Sequence, residues 1–307
     1  MANGAVGMNK KSPVEYFIIT LTYIFFVFFT LACVFPFYYL IINSISANDL
    51  SVKGSIMFYP RQIHFKNYTS VMKIPGLPIA ALNSLARTVL GTGFTVLGSS
   101  FLGFMFTQKK LWARKFWYRF VVATMYFNAG LIPWYLTMMT LRLTNNFLAY
   151  IVPAIVQPFN IILIKTYIEN TPMELQEAAE VDGAGIFYIY SRIILPISKP
   201  ILATVAIFSA VGQWNAFMDT LILMTDSRLY TLQFVLYRYL SEARSLTTMI
   251  QASGGSLMDT IINAATQQTP SSVQMTIAVV VVIPILLVYP LFQRFFVKGI
   301  MIGAVKG

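Results

Sequence analysis

From Tyr16 to Ile42 the chain carries no charged side chain. About 20 apolar residues in a helix cross a bilayer's hydrocarbon layer, so this run alone points toward lipid. Five further stretches have comparable character once polar interruptions are allowed: Ala80–Phe106, Phe116–Met139, Phe147–Ile168, Ile201–Leu223 and Val273–Phe292. Their β-branched and aromatic residues would also suit strands. Barrel strands, however, alternate over segments of about ten residues, and these runs are continuous and longer. Backbone groups with no water to bind then require helix. Composition agrees. The 307 residues are 57% hydrophobic and 11% charged, against roughly 45–50% and about 25% in soluble domains. Even a soluble fold burying about 75% of its surface could not hide this much apolar area.

The expected fold is therefore an all-α polytopic membrane protein with about six transmembrane helices, forming one domain over residues 1–307. The run at Tyr16–Ile42 is too long for the 7–15-residue core of a signal peptide and reads as a retained first helix. The formal net charge is +11. Basic residues cluster beside apolar runs, as in Lys109, Lys110, Arg114, Lys115 and Arg119, rather than forming one stripe. That pattern fits cytoplasmic flanks meeting anionic lipid and argues against nucleic acid as a partner. Lys10 and Lys11 precede the first helix, and Arg294, Lys298 and Lys306 follow the last. With six crossings all these groups share one side, which places both termini in the cytoplasm. Two long connections, 43–79 and 224–272, then face outward; the second contains an SGG turn at 253–255 and the polar run AATQQTPSS at 264–272. Cys33, the sole cysteine, excludes an intrachain disulfide and reads as a small buried hydrophobe.

The connection at 169–200 is unlike the others. Thr171 can cap a helix, Pro172 suits the first helical position, and Glu174 completes a capping box. MELQEAAEV has high helix propensity. Gly183 and Gly185 interrupt it, and Pro196 and Pro200 bracket the turn into the next apolar run. A short acidic helix followed by a tight bend is expected on the cytoplasmic side, between the fourth and fifth apolar stretches.

The order Glu177-Ala178-Ala179, Gly183, then Ile193, Leu195 and Pro196 resembles the signature of permease subunits in binding-protein-dependent ABC importers. Further similarities lie at Asn43-Ser44, Asn83-Ser84, the GLIP of 130–133 and the WN of 214–215, so the resemblance covers most of the chain. Within that family the chain resembles the carbohydrate group, in particular the smaller subunit of maltose-type permeases. FNAGLIPWYL and VGQWNAFMD look like members handling oligosaccharides and acidic polysaccharides. The resemblance implies that 169–200 holds a coupling helix seated on an ATPase, with Glu177, Ala178, Ala179, Asp182, Gly183, Ile193, Leu195 and Pro196 forming the contact and its exit. It also implies a second, non-identical permease subunit, two ATPase subunits that use ATP and Mg, and an extracytoplasmic solute-binding protein. The implied location is a bacterial inner membrane.

The chain itself has no phosphate-cradling GK[ST] loop, and its one histidine, His64, lies in an expected outward loop, so no ATPase site, no histidine-based zinc cluster and no Ser-His-Asp triad is expected. No cofactor and no metal is expected on this chain, and no enzymatic activity. Polar residues inside apolar runs tend to face a cavity or a neighbouring helix. Here they are Asn83, Arg87, Asn128, Gln157, Asn160, Gln213, Asn215 and Asp219. With Trp134 and Trp214 as surfaces for sugar rings, the pathway candidates are Asn128, Trp134, Gln213, Trp214, Asn215 and Asp219. Asn215 and Asp219, four apart, would share a helix face. Trp112 and Trp117 read as interface anchors. Import of a non-sugar solute, or a stand-alone secondary transporter, are the alternatives; the second leaves 177–196 without a role.

Overall fold

The computed structural model describes residues 12–252 and 274–287, and every regular element among them is helical. Those residues fall in two compact units, one built from 12–67 with 274–279 and the other from 68–252 with 280–287.

In the first unit, α1 spans Pro13–Ser44. Its start is a capping box: the Ser12 hydroxyl accepts from the Glu15 amide at 3.2 Å, and the Glu15 carboxylate accepts from the Ser12 amide at 2.7 Å. At 1.5 Å per residue its 32 residues reach roughly 48 Å, more than a hydrocarbon layer of about 30 Å. Its most apolar window is wholly exposed within the protein, as a lipid-facing helix requires. Cys33 lies on that surface and is exposed, not buried as its residue type suggests. The C-terminal end of α1 is tied down by polar groups. Ser51 donates to Asn43 Oδ1 at 2.8 Å, Asn67 donates to the Ser44 carbonyl at 2.9 Å, and the Arg61 amide donates to Ser46 Oγ at 3.1 Å. A short helix, α2 (Asn48–Val52), follows within this unit.

α3 (Lys66–Met72) leads into the second unit, whose spine is α4 (Leu77–Met105). Small residues along α4 let its neighbours approach closely. A Cβ on Gly91 would lie 2.6 Å from the Gln213 amide nitrogen, and one on Gly98 would lie 2.8 Å from the Ile155 carbonyl oxygen. After α4 come α5 (Arg114–Thr124), α6 (Leu131–Thr140), a 3-10 stretch (Phe147–Ala154), α7 (Pro158–Glu169) and α8 (Glu174–Val181). They are followed by α9 (Ile186–Ile197), α10 (Lys199–Asn215), α11 (Met218–Leu223), α12 (Leu232–Ala252) and α13 (Gln274–Leu287). α10 and α7 both pack along α4.

The six-helix expectation is not met. Among the described residues two helices, α1 and α4, are long and apolar enough to cross a membrane, and up to four spans result if each of two bent pairs counts as one. Hydropathy registers apolar content, whereas a span also needs an unbroken ladder of backbone bonds. The stretch 116–139 divides into α5 and α6, of 11 and 10 residues. Asn128 Oδ1 accepts from the Gly130 amide at 2.9 Å in the break, where Gly130 has φ +89°. In 147–168, Pro153 and Pro158 lack amide donors, and the 3-10 stretch meets α7 at a 43° bend. In 201–223, α10 stops at Asn215 and the chain turns extended at Ala216 before α11. The second bent pair is α9 and α10, which meet at 80°. Of the stretch 273–292, α13 is described and the remainder lies outside the described residues, as do the expected turns at 253–255 and 264–272. The segment expected to be the second long connection, 224–272, contains α12.

Candidate functional site

The break after α10 frees the Ala216 carbonyl, and a buried arginine answers it. Arg87, on α4, is 2% exposed. Its Nη1 donates to the Ala216 carbonyl at 3.2 Å and to Asp219 Oδ1 at 3.1 Å, and its Nη2 donates to Asp219 Oδ2 at 2.6 Å. Nε and Nη2 both donate to Gln213 Oε1 at 3.1 Å. All five guanidinium donors are thereby engaged. The cation also lies 4.3 Å from the centre of the Tyr150 ring. Gln213 Nε2 completes the cluster by donating to the Tyr150 carbonyl at 3.2 Å. This network locks α4, the 3-10 stretch, α10 and α11 together at the point where the backbone ladder fails.

Beside it lies a cavity of about 550 Å³. Trp134, Phe159 and Phe208 give it aromatic walls, while Gln157, Asn160, Ser209 and the exposed part of Asp219 give it polar ones. Of the six pathway candidates, Trp134, Gln213 and Asp219 line this cavity. The other three do not. Asn128 is engaged in the turn before α6, Trp214 Nε1 donates to the Val281 carbonyl at 3.0 Å, and Asn215 Oδ1 accepts from Gln233 at 3.0 Å. Asn215 and Asp219 do not share a helix face, because the helix ends between them. Gln157 and Asn160, visible in sequence only as polar interruptions, belong to the cavity. Tyr150 and Ser209 gave no signal in the sequence.

A second site forms around α8. The expected capping box at Thr171 is absent: the Thr171 hydroxyl instead donates back to the Tyr167 carbonyl at 3.2 Å, and α8 begins at Glu174 with no side-chain cap. Its C-terminus is better specified. Gly183 sits at φ +79°, its amide donates to the Glu180 carbonyl at 3.1 Å, and the Ala184 amide donates to the Ala179 carbonyl at 2.9 Å. That pair of bonds is a Schellman motif, which favours glycine at this position. Among the described residues the Asp182 side chain makes no hydrogen bond, so the backbone forms the bend unaided.

One face of α8 is anchored. Ala179 packs with Ile193 against a core of Phe104, Ile164, Ile168, Ile189, Ile194 and Val205. Gln176 Nε2 donates to Gln108 Oε1 at 2.9 Å, and Lys110 Nζ donates to Glu180 Oε2 at 2.9 Å. This last contact holds the Glu180 carboxyl below its ordinary range. α9 contains a π-helical turn at Ile189–Ile194, and within it Tyr190 exchanges a 2.7 Å hydrogen bond with Ser100 of α4. Away from that face, Val181 at the end of α8 is 87% exposed, and Phe187 at the start of α9, stacked on Phe101, is 70% exposed. Glu177, whose side chain has no hydrogen-bond partner among the described residues, lines a cleft of about 350 Å³ together with Gln108, Lys110, Gln176 and Glu180. Of the proposed coupling residues, then, Ala179 and Ile193 face the core, Gly183 makes the bend, and Glu177 stands free. Among the described residues no group of His, Cys, Asp and Glu is placed to hold a metal ion.

Residues 95–302 match the family described as "Binding-protein-dependent transport system inner membrane component". The protein LplC of Bacillus subtilis (strain 168) is 33% identical over 274 residues, covering 89% of this chain and 90% of that relative. A polygalacturonan/rhamnogalacturonan transport system permease protein, YtcP, of the same organism is 30% identical, covering 94% of this chain and 97% of the relative. The arabinooligosaccharides transport system permease protein AraQ of Halalkalibacterium halodurans is 26% identical, covering 97% and 99%. In fold, the chain is similar to one in the crystal structure of a bacterial ABC transporter that imports the acidic polysaccharide alginate. The TM-score is 0.82 at 24% identity, covering 94% of this chain and 99% of that one.

Proposed function

The chain belongs to the family of binding-protein-dependent transport system inner membrane components, and on that premise we propose that it is a permease subunit of an ATP-driven importer for oligosaccharides or polysaccharide fragments. It is a transport component, not a catalyst. Relatives named for galacturonan and arabino-oligosaccharide transport support the cargo class. Its counterpart among sugar importers is the smaller subunit of maltose-type pairs. A second, homologous permease subunit completes the pathway, two ATPase subunits bind ATP and Mg, and an extracytoplasmic solute-binding protein delivers the glycan. The whole chain acts as one transport domain, with 169–200 as its coupling segment.

The observation that carries this reading is the two-sided character of α8. Its inner face is packed on α4, α7 and α9 through Ala179 and tied to the connection between α4 and α5 through Gln176 and Glu180, while Val181 and Glu177 are left available. A helix anchored on one side and open on the other can pass a displacement from a docked ATPase into the α4–α10 pair. Glu177 is the charged contact, Gly183 sets the exit angle, and Ile193, Leu195 and Pro196 lead the chain into α10. Lys109, Lys110 and Arg114 flank the same cleft as α8, which supports placing that end in the cytoplasm. The basic residues at each terminus support placing both termini there too.

The test is ATP hydrolysis by the complex reconstituted in liposomes with its partner chains and glycan-loaded binding protein. Stimulation by glycan-loaded binding protein that collapses in Glu177→Ala, with assembly preserved, is the expected result. Full stimulation in that variant would remove Glu177 from the coupling contact. An active complex that answers no glycan would overturn the cargo class.

A further inference from the structure

More cations follow α4 than the fold uses. Lys109, Lys110, Arg114, Lys115 and Arg119 come just after its end at Met105, and no acidic residue lies between Asp49 and Glu169. Two of the five have protein partners: Lys110 donates to Glu180, and Arg114 Nη1 donates to the Thr107 carbonyl at 2.8 Å. Lys109, Lys115 and Arg119 are exposed, and their side chains have no partner among the described residues. Aromatic rings are interleaved with these cations. α5 packs inward through Tyr118, whose ring centre lies 4.4 Å from Lys165 Nζ and 5.7 Å from that of Phe106. Lys115 and Arg119, four apart, share a different face, and the stacked rings of Phe116 and Phe120 adjoin it.

None of the residues of α5 is buried, and Trp112 just before it is 79% exposed. A helix with cations beside exposed aromatic rings suits the headgroup layer of a bilayer, where tryptophan sits by preference. α4, which leads into it, is long and apolar enough to cross a membrane. An acidic protein surface would match the charges but would give the rings no apolar layer to enter. This patch meets α8 through Lys110, whose Nζ lies 2.9 Å from Glu180 Oε2 while its side chain is 83% exposed. An exposed pair of this kind is favoured by about fivefold at most. A cation near an anionic bilayer gains about fivefold, so a lipid phosphate competes with Glu180 on equal terms. Glu180 keeps a bond from Gln176 Nε2 at 3.2 Å, so α8 loosens without detaching.

We propose that Lys109, Lys110, Lys115 and Arg119, with Trp112, bind the phosphate headgroup of an anionic phospholipid, and that this headgroup competes with Glu180 for Lys110, so that the anchoring of α8 follows the charge of the surrounding lipid. The inference rests on the membrane placement of α4 and requires neither the glycan cargo nor the docking of an ATPase.

The test places the purified complex in nanodiscs of phosphatidylcholine with or without phosphatidylglycerol. Two quantities are read: the cross-linking yield of a photoactivatable phosphatidylglycerol to residues 108–120, and amide hydrogen exchange in α8. The native chain is expected to capture the phosphatidylglycerol probe well above a phosphatidylcholine probe, and its α8 amides to exchange faster, by up to about fivefold, in the anionic discs. Lys115→Gln with Arg119→Gln should lower capture by about fivefold for each cation removed. Lys110→Gln should raise α8 exchange already in phosphatidylcholine and abolish its response to phosphatidylglycerol. Equal capture of the two probes would overturn the site, and so would capture unchanged in the double variant. An α8 response to phosphatidylglycerol that persists in Lys110→Gln, or is absent from the native chain, would overturn the competition. Glycerol phosphate in solution should change nothing; if it reproduced the response in phosphatidylcholine discs, the occupant would be a free phosphate and the lipid assignment would fall. Both readouts stand whether or not the complex transports a glycan, so their failure is separate from failure of the importer reading.

Discussion

Asp219→Asn is the sharpest probe of the network behind the cavity. The substitution keeps shape and removes one charge. Arg87 cannot follow by losing its proton, and at 2% exposure it cannot reach water. It loses the carboxylate charge and one of its two bonds to that side chain, at 3.1 and 2.6 Å, because the amide keeps a single acceptor oxygen at a site only 18% exposed. Breaking one side of a buried pair costs roughly 3–5 kcal/mol. Three contacts remain to soften the loss: the Gln213 and Ala216 oxygens and the Tyr150 ring at 4.3 Å. The expected cost is therefore near the lower bound, about 3 kcal/mol. For domains of 150–250 residues that corresponds to a midpoint lowered by roughly 6–12 °C. Thermal unfolding of the purified complex, followed by intrinsic fluorescence, reads it. The double variant Arg87→Met with Asp219→Leu removes both charges and should be distinctly more stable than Asp219→Asn, since no charge is left stranded. A single variant that melts with the native complex, or a double variant that melts no higher than the single, would refute the reasoning.

Other substitutions test separate parts. Gly183→Val places a branched side chain at φ +79° with no atom within 4 Å to clash, so its penalty of about 1–2 kcal/mol is backbone strain alone; glycan-stimulated ATP hydrolysis should fall, and Gly183→Asn should largely retain it. Gly98→Leu drives a side chain into the Ile155 carbonyl, where a Cβ already comes within 2.8 Å; a loss of about 1–3 kcal/mol is expected in the thermal midpoint. Lys110→Ala tests the anchoring of α8 by pH. The Lys110 contact lowers the Glu180 pKa in the folded state, so its stabilisation is present above the ordinary glutamate value and disappears as pH falls through the lowered one. The difference in midpoint between Lys110→Ala and the native chain should therefore be small near neutrality and vanish in acid.

The membrane-embedded, all-helical character was legible because it depends on composition, a sum over many residues. The number of spans was not, because it depends on a few residues that interrupt the ladder. Gly130, Pro153, Pro158 and Ala216 hardly alter hydropathy, yet each sits where a predicted span breaks. The short acidic helix after α7 was legible in its residues but not in its cap: Thr171 has a partner in the preceding turn of α7, a contact that propensity does not anticipate. Gly183 was legible because positive φ is a local demand of the chain. The cavity was only half legible. Asp219 and Gln213 stand out as polar residues in an apolar run, but what commits them is Arg87, more than a hundred positions away. Ser209 looks like any small residue on a packed helix, and only the fold leaves its hydroxyl without a partner.

Docking of the ATPase on the α8 surface is tested by disulfide or bifunctional cross-linking from a single cysteine at position 181, in a Cys33→Ser background. Val181 is 87% exposed and Cys33 is exposed on α1, so neither change disturbs a buried contact. The account predicts efficient cross-linking of Val181→Cys to the ATPase subunit, with a yield that changes on ATP binding, and none from Arg228→Cys in the segment between α11 and α12. A Val181→Cys complex that assembles and hydrolyses ATP but forms no cross-link, or one linked to the ATPase through position 228, would contradict it.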